Sequence, residues 1–507
     1  MTIRPLIITA ALCLAMPAQA QTAAPSLKTQ VEVVLAKAPA GTRFGLLVVD
    51  EAGREVLAVN PDGRFIPASN TKLFTTAAAM ALLGDTAAPD AASGAQVELA
   101  PRAGGAADVW LSGRGDARLS SAADCKADCL TELADAVAKR TRKVHDVIGD
   151  DSFFPDQRWS PGMSWNNFGS NDATAASALT LDSNEALLAV TPGKAGAPPV
   201  VAIPAYFTLI NEAVTVPAGG KTTLAYEHRL NSREFRLYGE IAEGATEWRE
   251  RIGIDDPADY AAWSLRRMLE ARGVKVQGQV RVVHRAVQNW DDPAWRAAHL
   301  APDVQKAEPT DQSKADWVIV SAGGVAAEPL ARTTPGPLVE DVALINKVSQ
   351  NLHAELLLRR IGRHAGTGSL EDGLAAARNL FEKAGIPRAG FDFSDGSGMS
   401  TYNRVSPRAG VALLRWGSQQ PWGDAWIAGF PIGGVDGTLR RRFAGTVLEG
   451  KIQAKTGTLN ATNALSGFLT AASGRRLTFS MFANDVPNGS SALPVMDAAL
   501  ALIAKEN

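Results

Sequence analysis

The sequence predicts a mixed α/β (α+β) protein in which one discontinuous main domain carries two inserted domains, one of them mostly β. Residues 85–107 are rich in Ala, Gly, Pro and Asp and lack periodicity, which indicates a change of domain. Residues 186–252 hold short strand-like runs between Gly and Pro turns, as in a small β domain. The predicted division is 25–84 and 320–507 for the main domain, 85–185 and 253–319 for the second, and 186–252 for the third.

Local patterns predict the individual elements in chain order. Alternating β-rich runs around the turn at residues 51–53 predict a hairpin before the first helix. Glycines at 84, 273 and 385 end three predicted helices. The predicted helices are 69–83, 129–139, 256–273, 351–359, 369–384 and 490–505. The predicted strands are 42–50, 54–59, 109–111, 144–148, 274–283, 317–322, 451–454, 464–469 and 477–482, with a surface loop over 284–315.

Composition limits the class of protein. The chain has 507 residues, of which 46% are hydrophobic and 21% charged, as expected for a globular protein with a large core. The formal net charge of −2 argues against binding to nucleic acid. The sequence has no H-E-x-x-H and no G-x-S-x-G, so we expect neither a zinc peptidase nor an α/β-hydrolase, and we predict no metal and no cofactor.

The first 20 residues read as a secretory signal peptide. Arg4 precedes an apolar run over 6–16, and Ala18-Gln19-Ala20 fits a cleavage site, so the mature chain is expected to begin at Gln21. No later stretch is apolar over the roughly 18 residues of a membrane span, so we predict an exported protein without a transmembrane segment.

Two cysteines, Cys125 and Cys129, remain after such a cleavage. In a regular helix their Cβ atoms would be about 5–6 Å apart, which is too far for an unstrained bridge. We therefore favour a disulfide in a loop or distorted turn, and leave open that the thiols are free.

Ser69 and Lys72 form the first of three polar motifs, Ser69-Asn70-Thr71-Lys72, ahead of an alanine-rich run. Residues three apart at a helix start share one face, so the lysine amine can lie beside the serine hydroxyl. Burial can lower the pKa of a lysine until it acts as a base for a serine nucleophile. Alone, the motif also fits an N-cap serine with a solvated lysine.

Two later motifs favour the catalytic interpretation. Ser349-Gln350-Asn351 opens a run with helical spacing, and Lys455-Thr456-Gly457-Thr458 follows a strand-like alternation. S-x-x-K, S-D-N and K-T-G in this order form the signature of penicillin-binding proteins and class A β-lactamases, and in this chain Gln350 takes the middle position of the second motif. The sequence therefore predicts a serine acyl-transfer enzyme.

The chain resembles the class C low-molecular-mass penicillin-binding proteins, the D-alanyl-D-alanine carboxypeptidase/endopeptidase family. Beyond the three motifs, the resemblance rests on the segments at 150–153, 177–179, 351–355, 395–400 and 434–439. It implies a penicillin-binding/β-lactamase-like serine transpeptidase domain with two inserted domains. It also implies a periplasmic enzyme that acts on peptidoglycan stem peptides and is inhibited by β-lactams.

The resemblance implies a role for each motif residue. Ser69 would attack the carbonyl of the penultimate D-alanine, Lys72 would accept its proton, and Ser349 would relay a proton to the leaving amine. Asn351 would hydrogen-bond the substrate backbone and hold Lys72. Lys455 would supply positive potential, Thr456 and Thr458 would bind the substrate carboxylate, and Gly457 would leave room for the substrate backbone. The N–H groups of Ser69 and Thr458 would form the oxyanion hole.

Three departures from the family pattern bear on specificity. Family members acting on diaminopimelate-containing peptides resemble one another in an acidic residue where this chain has Asn166-Asn167, and in an arginine where it has Thr401. Some carry glutamine where it has Asn460. These positions put recognition of a zwitterionic side-chain end in question.

Two alternatives stay open, a β-lactamase-like hydrolase and a catalytically silent peptidoglycan-binding scaffold. The sequence also leaves open whether the enzyme prefers carboxypeptidase or endopeptidase activity, and whether it forms a homodimer. We interpret His353 as structural, and Asp395 and Asp436 as turn residues whose carboxylates bond to the backbone.

Overall fold

The computed structural model describes residues 25–102, 104–300 and 329–507. The predicted signal peptide and the predicted strand at 317–322 lie outside these residues. The helices are α1 (Leu27–Leu35), α2 (Thr71–Leu82), α3 (Leu130–Arg140), α4 (Pro257–Ala271), α5 (Pro293–His299), α6 (Leu338–Val348), α7 (Asn351–Ala365), α8 (Leu370–Lys383), α9 (Pro407–Ser418), α10 (Gly423–Ala428) and α11 (Leu493–Glu506).

The strands are β1 (Arg43–Val49), β2 (Glu55–Val59), β3 (Gln96–Pro101), β4 (Ala107–Ser112), β5 (Lys143–Pro155), β6 (Glu185–Thr191), β7 (Val200–Ala202), β8 (Thr208–Asn211), β9 (Val214–Val216), β10 (Ala225–His228), β11 (Glu234–Tyr238), β12 (Glu240–Ala242), β13 (Trp248–Gly253), β14 (Lys275–Val276), β15 (Val280–Arg285), β16 (Ala331–Arg332), β17 (Phe391–Asp392), β18 (Arg404–Val405), β19 (Ile452–Leu459), β20 (Thr462–Thr470) and β21 (Arg476–Asn484).

A five-stranded antiparallel sheet in the order β19-β20-β21-β1-β2 forms the centre of the main domain. The strands alternate apolar side chains between two faces, so each face needs its own cover. Helices α1 and α11 pack on one face with a core that includes Val31, Met496 and Leu500. Helices α2, α7 and α9 contribute to the core on the other face. The sheet thus combines β1 and β2 from before the insertion with β19, β20 and β21 from after it. The mixed α/β class is as predicted.

A second sheet in the order β14-β5-β4-β3-β16, with β15 also paired to β5, lies in the inserted region. Its strand β16 pairs with β3 through Ala331↔Val97. An isolated bridge, Pro89↔Pro337, lies beside it. The insertion therefore leaves and re-enters the main domain at neighbouring points, which lets distant motifs meet. We retain the three-domain division as a proposal.

The region predicted to be a small β domain contains short strands in three sheets. Their orders are β13-β6-β7, β10-β11-β8 and β12-β9. Strand-rich segments broken by Gly and Pro turns were the sequence signal for this region, and they form short paired strands here.

The predicted surface loop at 284–315 was wrong over its first part. Strand β15 runs to Arg285, and α5 occupies residues 293–299. Asp292 caps this helix by accepting a hydrogen bond from Ala294 N at 2.8 Å, and proline occupies its first turn. Arg296 forms a buried ion pair with Asp372, so a contact from a distant helix fixes a segment with weak local patterning.

Cys125 and Cys129 form a disulfide with Cα atoms 5.9 Å apart, and α3 begins only at Leu130. The bridge therefore lies in the loop before the helix, as favoured from the sequence. Across the described ranges, the helices all lack the combination of length and apolar composition that a membrane span requires.

Candidate active site

Ser69 lies in a single 3₁₀ turn, Ala68–Asn70, directly before α2. The N-cap of α2 is Asn70, so Ser69 is not the cap residue of this helix. Asn70 Nδ2 donates to the Lys455 carbonyl at 2.9 Å and ties the turn to β19. Gly398, at φ +89°, passes so close to the Ala68 carbonyl that a Cβ atom would collide with it. The backbone thus fixes the serine position.

Lys72 is fully buried, and its Nζ donates to three oxygens. These are Ser69 Oγ at 2.9 Å, Asn351 Oδ1 at 2.6 Å and the Ser397 carbonyl at 2.6 Å. Burial lowers the pKa of Lys72 to about 8, although nearby carboxylates, Asp395 first among them, act in the opposite direction. The amine is therefore positioned, and close enough to neutrality, to take a proton from Ser69.

Ser349 and Asn351 reach the site from the junction of α6 and α7. Ser349 ends α6 in a left-handed conformation with φ +66°, which is uncommon for a residue with a side chain. Asn351 contacts two segments of the site. Its Oδ1 accepts a hydrogen bond from Lys72, and its Nδ2 donates one to the Asp172 carbonyl at 2.8 Å. The second motif is thus part of the same hydrogen-bond network as the first.

Lys455 extends the network from β19, which is an edge strand of the central sheet. Its Nζ donates to Ser349 Oγ at 2.9 Å and to the Thr456 carbonyl at 2.9 Å. The side chain is fully buried, and burial and then the charge of Lys72 hold its pKa well below 10.5. A substrate carboxylate nearby would favour its charged form.

Gly457 and Thr456 have neighbours that the sequence did not indicate. A Cβ atom at Gly457 would lie 2.7 Å from the Pro67 carbonyl, so this glycine lets β19 approach the turn that carries Ser69. That differs from the room for a substrate backbone implied by the resemblance. The Thr456 hydroxyl lies 2.7 Å from that of Thr438, which adds a third threonine beside Thr458.

A buried polar turn behind Lys72 holds the Ser397 carbonyl in place. Glu355 Oε1 accepts from Gly396 N at 2.9 Å and from Ser397 N at 2.8 Å. Asp395 accepts from the backbone N–H groups of Gly398 and Ser400, so its interpretation as a turn residue is confirmed. Burial and then the charge of Glu355 raise the pKa of Asp395 to about 6.

His353 and Asp436 have structural partners. The His353 ring is buried and bonds to Asp341. Asp436 accepts from Ile432 N at 2.8 Å and forms an ion pair with Lys347. Both contacts agree with the structural interpretation of these residues.

The network opens into a cleft of about 560 Å³. Its lining includes Ser69, Ser349, Asn351, Thr456 and Thr458, and also all three positions that depart from the family pattern, Asn167, Thr401 and Asn460. Sequence reasoning missed the other lining residues, among them Asp172, Met399, Thr438 and Arg442. Met399 and Thr438 lie in segments that carry the family resemblance, and that position could have identified them from the sequence. No sequence pattern pointed to Asp172 or Arg442.

The lining residues offer no set of metal ligands among the described parts of the chain, since Asp172 is their single carboxylate and they include no histidine or cysteine. A group of three ligand-type side chains, Asp108, His145 and Asp146, lies in the inserted region instead. Arg102 and Arg281 form ion pairs with Asp146, which offset its charge.

Comparison with known proteins gives matches along almost the whole chain. The D-Ala-D-Ala carboxypeptidase 3 (S13) family matches residues 27–300 and 312–507. A D-alanyl-D-alanine carboxypeptidase from Actinomadura sp. (strain R39) is 32% identical over 485 residues, which cover 92% of this chain and 82% of that protein. A penicillin-sensitive carboxypeptidase A from Dictyostelium discoideum is 22% identical over 485 residues, covering 89% of this chain and 84% of that protein.

Solved structures show the same fold. The crystal structure of penicillin binding protein 4 from Haemophilus influenzae superposes with a TM-score of 0.74 at 21% identity, covering 94% of this chain and 98% of that one. The same protein complexed with a β-lactam gives a TM-score of 0.68 at 20% identity, with the same coverage. These matches confirm the predicted fold class, a penicillin-binding-type domain with inserted domains.

Proposed function

Because this chain belongs to the D-Ala-D-Ala carboxypeptidase 3 (S13) family, we propose that it is a serine-type D-alanyl-D-alanine carboxypeptidase of the penicillin-binding type that is acylated on Ser69. One observation carries the proposal. Ser69 Oγ lies 2.9 Å from the Nζ of a fully buried lysine whose pKa is lowered to about 8. A serine hydroxyl needs such a base to become a nucleophile.

The reaction has two steps, acylation and hydrolysis. Lys72 takes the Ser69 proton as Oγ bonds to the carbonyl carbon of the penultimate D-alanine. The C–N bond to the terminal D-alanine then breaks, and the proton held by Lys72 passes to the leaving amine through Ser349, which contacts Lys455. Water next attacks the ester while the neutral Lys72 takes its proton, and this proton passes to Ser69 Oγ as the ester bond breaks and the shortened peptide leaves.

The β19 side of the cleft binds the terminal carboxylate of the substrate. Thr456 and Thr458 supply hydroxyl donors, and Lys455 supplies a charge that becomes favourable once the carboxylate arrives. The Thr438 hydroxyl, 2.7 Å from that of Thr456, orients that side chain. Backbone N–H groups of Ser69 and Thr458 are the proposed oxyanion donors, a contribution that typically amounts to about 10²–10³ in rate for one donor.

The opposite wall determines which peptide side chain is accepted. Asn167 and Thr401 are uncharged, and Asp172 is exposed and carries the negative charge among the described lining residues. We expect a stem peptide whose third residue ends in an amine to be preferred over one with a zwitterionic end. Endopeptidase activity on cross-linked peptides is the further reaction that the same acylation chemistry allows.

We also propose that the protein acts in the periplasm after cleavage behind Ala20. The basic, apolar and small-residue segments at 1–20 support export. Peptidoglycan lies outside the cytoplasmic membrane, so an enzyme that acts on it has to be exported.

The test is the intact mass of the mature protein after exposure to benzylpenicillin. We expect one stable drug adduct on the wild type and none on Ser69→Ala. Ser164→Ala, which alters another serine of the same cleft, is the matched control and should keep the adduct. Release of D-alanine from a pentapeptide should follow the same pattern. Absence of both adduct and drug consumption would refute the proposal, and drug consumption without an adduct would favour the β-lactamase-like hydrolase.

A further inference from the structure

Three consecutive arginines, Arg440, Arg441 and Arg442, lie at one end of the cleft, and we call them the basic rim. They follow directly on the 3₁₀ turn Gly437–Leu439. Thr438 of this turn and Arg442 of the rim both line the cleft. The chain as a whole has a formal net charge of −2, so the rim is a local concentration of positive charge.

Two of the three arginines carry charge that the protein does not compensate. Arg440 and Arg441 are exposed. Among the described residues, no carboxylate pairs with either guanidinium. The acid just before them, Asp436, pairs with Lys347 instead. Charged runs of this kind are often only solvated surface, but here the third arginine connects the run to the cleft.

Arg442 is held in a fixed orientation by Asp497 of α11. Its Nε donates to Asp497 Oδ2 at 3.2 Å, and its Nη2 pairs with Oδ1 of the same carboxylate. The Arg442 side chain is only 14% exposed. Within the described parts of the chain, its Nη1 donates to no protein group. One edge of the guanidinium is thus occupied, and the other edge offers the planar N–H pair that suits a carboxylate.

The rim adjoins the part of the cleft that receives the leaving group. The Thr438 hydroxyl lies 2.7 Å from that of Thr456, which is the proposed partner of the carboxylate on the leaving residue. Asp172, the carboxylate on the opposite wall, faces the side chain of the acylating peptide instead. A leaving D-alanine ends at its carboxylate beside Thr456, so it does not extend to the rim.

We propose that the basic rim binds a carboxylate of the leaving peptide when the substrate is cross-linked peptidoglycan. This inference rests on the proposed function and assigns endopeptidase activity to the same site. The leaving group is then a second peptide, which carries the carboxylate of its own C-terminus. Opposite charge and the open edge of Arg442 make the rim complementary to such a peptide.

The covalent steps are those of the carboxypeptidase reaction. Ser69 Oγ bonds to the carbonyl carbon of the first peptide, and the C–N bond to the amine of the second peptide breaks. That amine leaves with the proton held by Lys72, passed through Ser349. Water then hydrolyses the ester as before, so only the leaving group differs.

The test compares two substrates of the full mature protein, a cross-linked peptide dimer and a monomeric pentapeptide, with products measured by mass spectrometry. In R440Q/R441Q, we expect the ratio of kcat/KM for the dimer to that for the pentapeptide to fall about three- to tenfold, because each exposed charge contributes modestly. Salt raised from about 50 to about 300 mM should lower this ratio in the wild type, since it screens exposed charges.

The matched control is R267Q/R378Q, which removes the same charge from exposed positions on α4 and α8 that do not line the cleft. This variant should keep the wild-type ratio. Arg442→Lys retains a charge beside Asp497 but loses the second donor edge, so its ratio should also fall while the benzylpenicillin adduct persists. If that variant fails to fold, R440Q/R441Q decides.

Three results would overturn the inference. Equal loss for both substrates in R440Q/R441Q would mean that the rim does not distinguish the leaving groups. An unchanged ratio would mean that the arginines are only solvated. A wild type that forms the penicillin adduct and releases D-alanine, yet leaves the dimer intact, would refute the rim's role alone. Absence of adduct, drug consumption and D-alanine release would instead refute the proposed function.

Discussion

Acylation by a penicillin should become faster as the pH rises through the pKa of Lys72. Burial lowers that pKa from 10.5 to about 8, against the opposing charges of Asp395, Glu355 and Asp172. Lys72 accepts the Ser69 proton only when its amine is neutral, so the acylation rate should follow the neutral fraction. The expected direction is an increase toward alkaline pH and a plateau above the pKa.

The position of the pKa sets the size of the increase. About a tenth of an amine is neutral one pH unit below its pKa, and about nine tenths one unit above. With a pKa of about 8 for Lys72, the second-order rate constant should rise about tenfold between roughly pH 7 and pH 9. A lysine that kept the usual value near 10.5 would give a rise of about a hundredfold over the same interval.

Stopped-flow measurement with a fluorescent penicillin gives this rate constant at each pH. Ser69→Ala should show no reaction at any pH, which removes non-specific labelling. Asp395→Asn removes the largest charge that opposes the shift, so its profile should move to lower pH. Asp424→Asn, an exposed acid on α10, should leave the profile in place. A hundredfold rise without a plateau, or a flat profile, would refute a pKa of Lys72 near 8.

Three further outcomes are expected. Gly398→Ala should slow acylation by about a hundredfold, because the new Cβ displaces the Ala68 carbonyl and with it the nucleophile, while folding, followed by circular dichroism, persists. Asp172→Asn should lower kcat/KM about two- to fivefold for a peptide with an amine-ended side chain and, when measured on the alkaline plateau where Lys72 is already neutral, leave benzylpenicillin acylation nearly unchanged; equal loss for both would contradict its role in recognition. The double change C125S/C129S should reduce the free energy of unfolding by about 2 kcal/mol in denaturant titrations, since the bridge closes a loop of residues separated by 4 positions.

The catalytic network was predictable where it depends on local geometry. The spacing of Ser69 and Lys72 places them on one helix face, and alternation around Lys455 predicts a strand. These patterns involve only a few neighbouring residues, so they can be recognised without knowledge of how the rest of the chain folds. They can meet Ser349 only if the insertion returns to its starting point, and the pairing of β16 with β3 provides that return.

Other parts of the site depend on contacts that no local pattern encodes. Glu355 and Asp395 accept backbone hydrogen bonds from the turn that presents the Ser397 carbonyl to Lys72. Thr438 lies in a 3₁₀ turn distant in sequence from Thr456, and the contact between their hydroxyls depends on folding. Helix α5 was missed although Asp292 and Pro293 are good starting signals, because its short length gave no periodicity.

The strand order of the central sheet also has a consequence for synthesis. Strand β21 lies between β1 and β20, and Ile66 N, close to the turn that carries Ser69, donates to Asn484 at the end of β21, 418 positions later. A growing chain that has not reached this strand cannot close the sheet, so Ser69 and Lys455 stay apart. Contacts so distant in sequence also slow folding. The contacts that place Ser69 beside β19 are therefore complete only after the chain has been synthesised as far as Asn484.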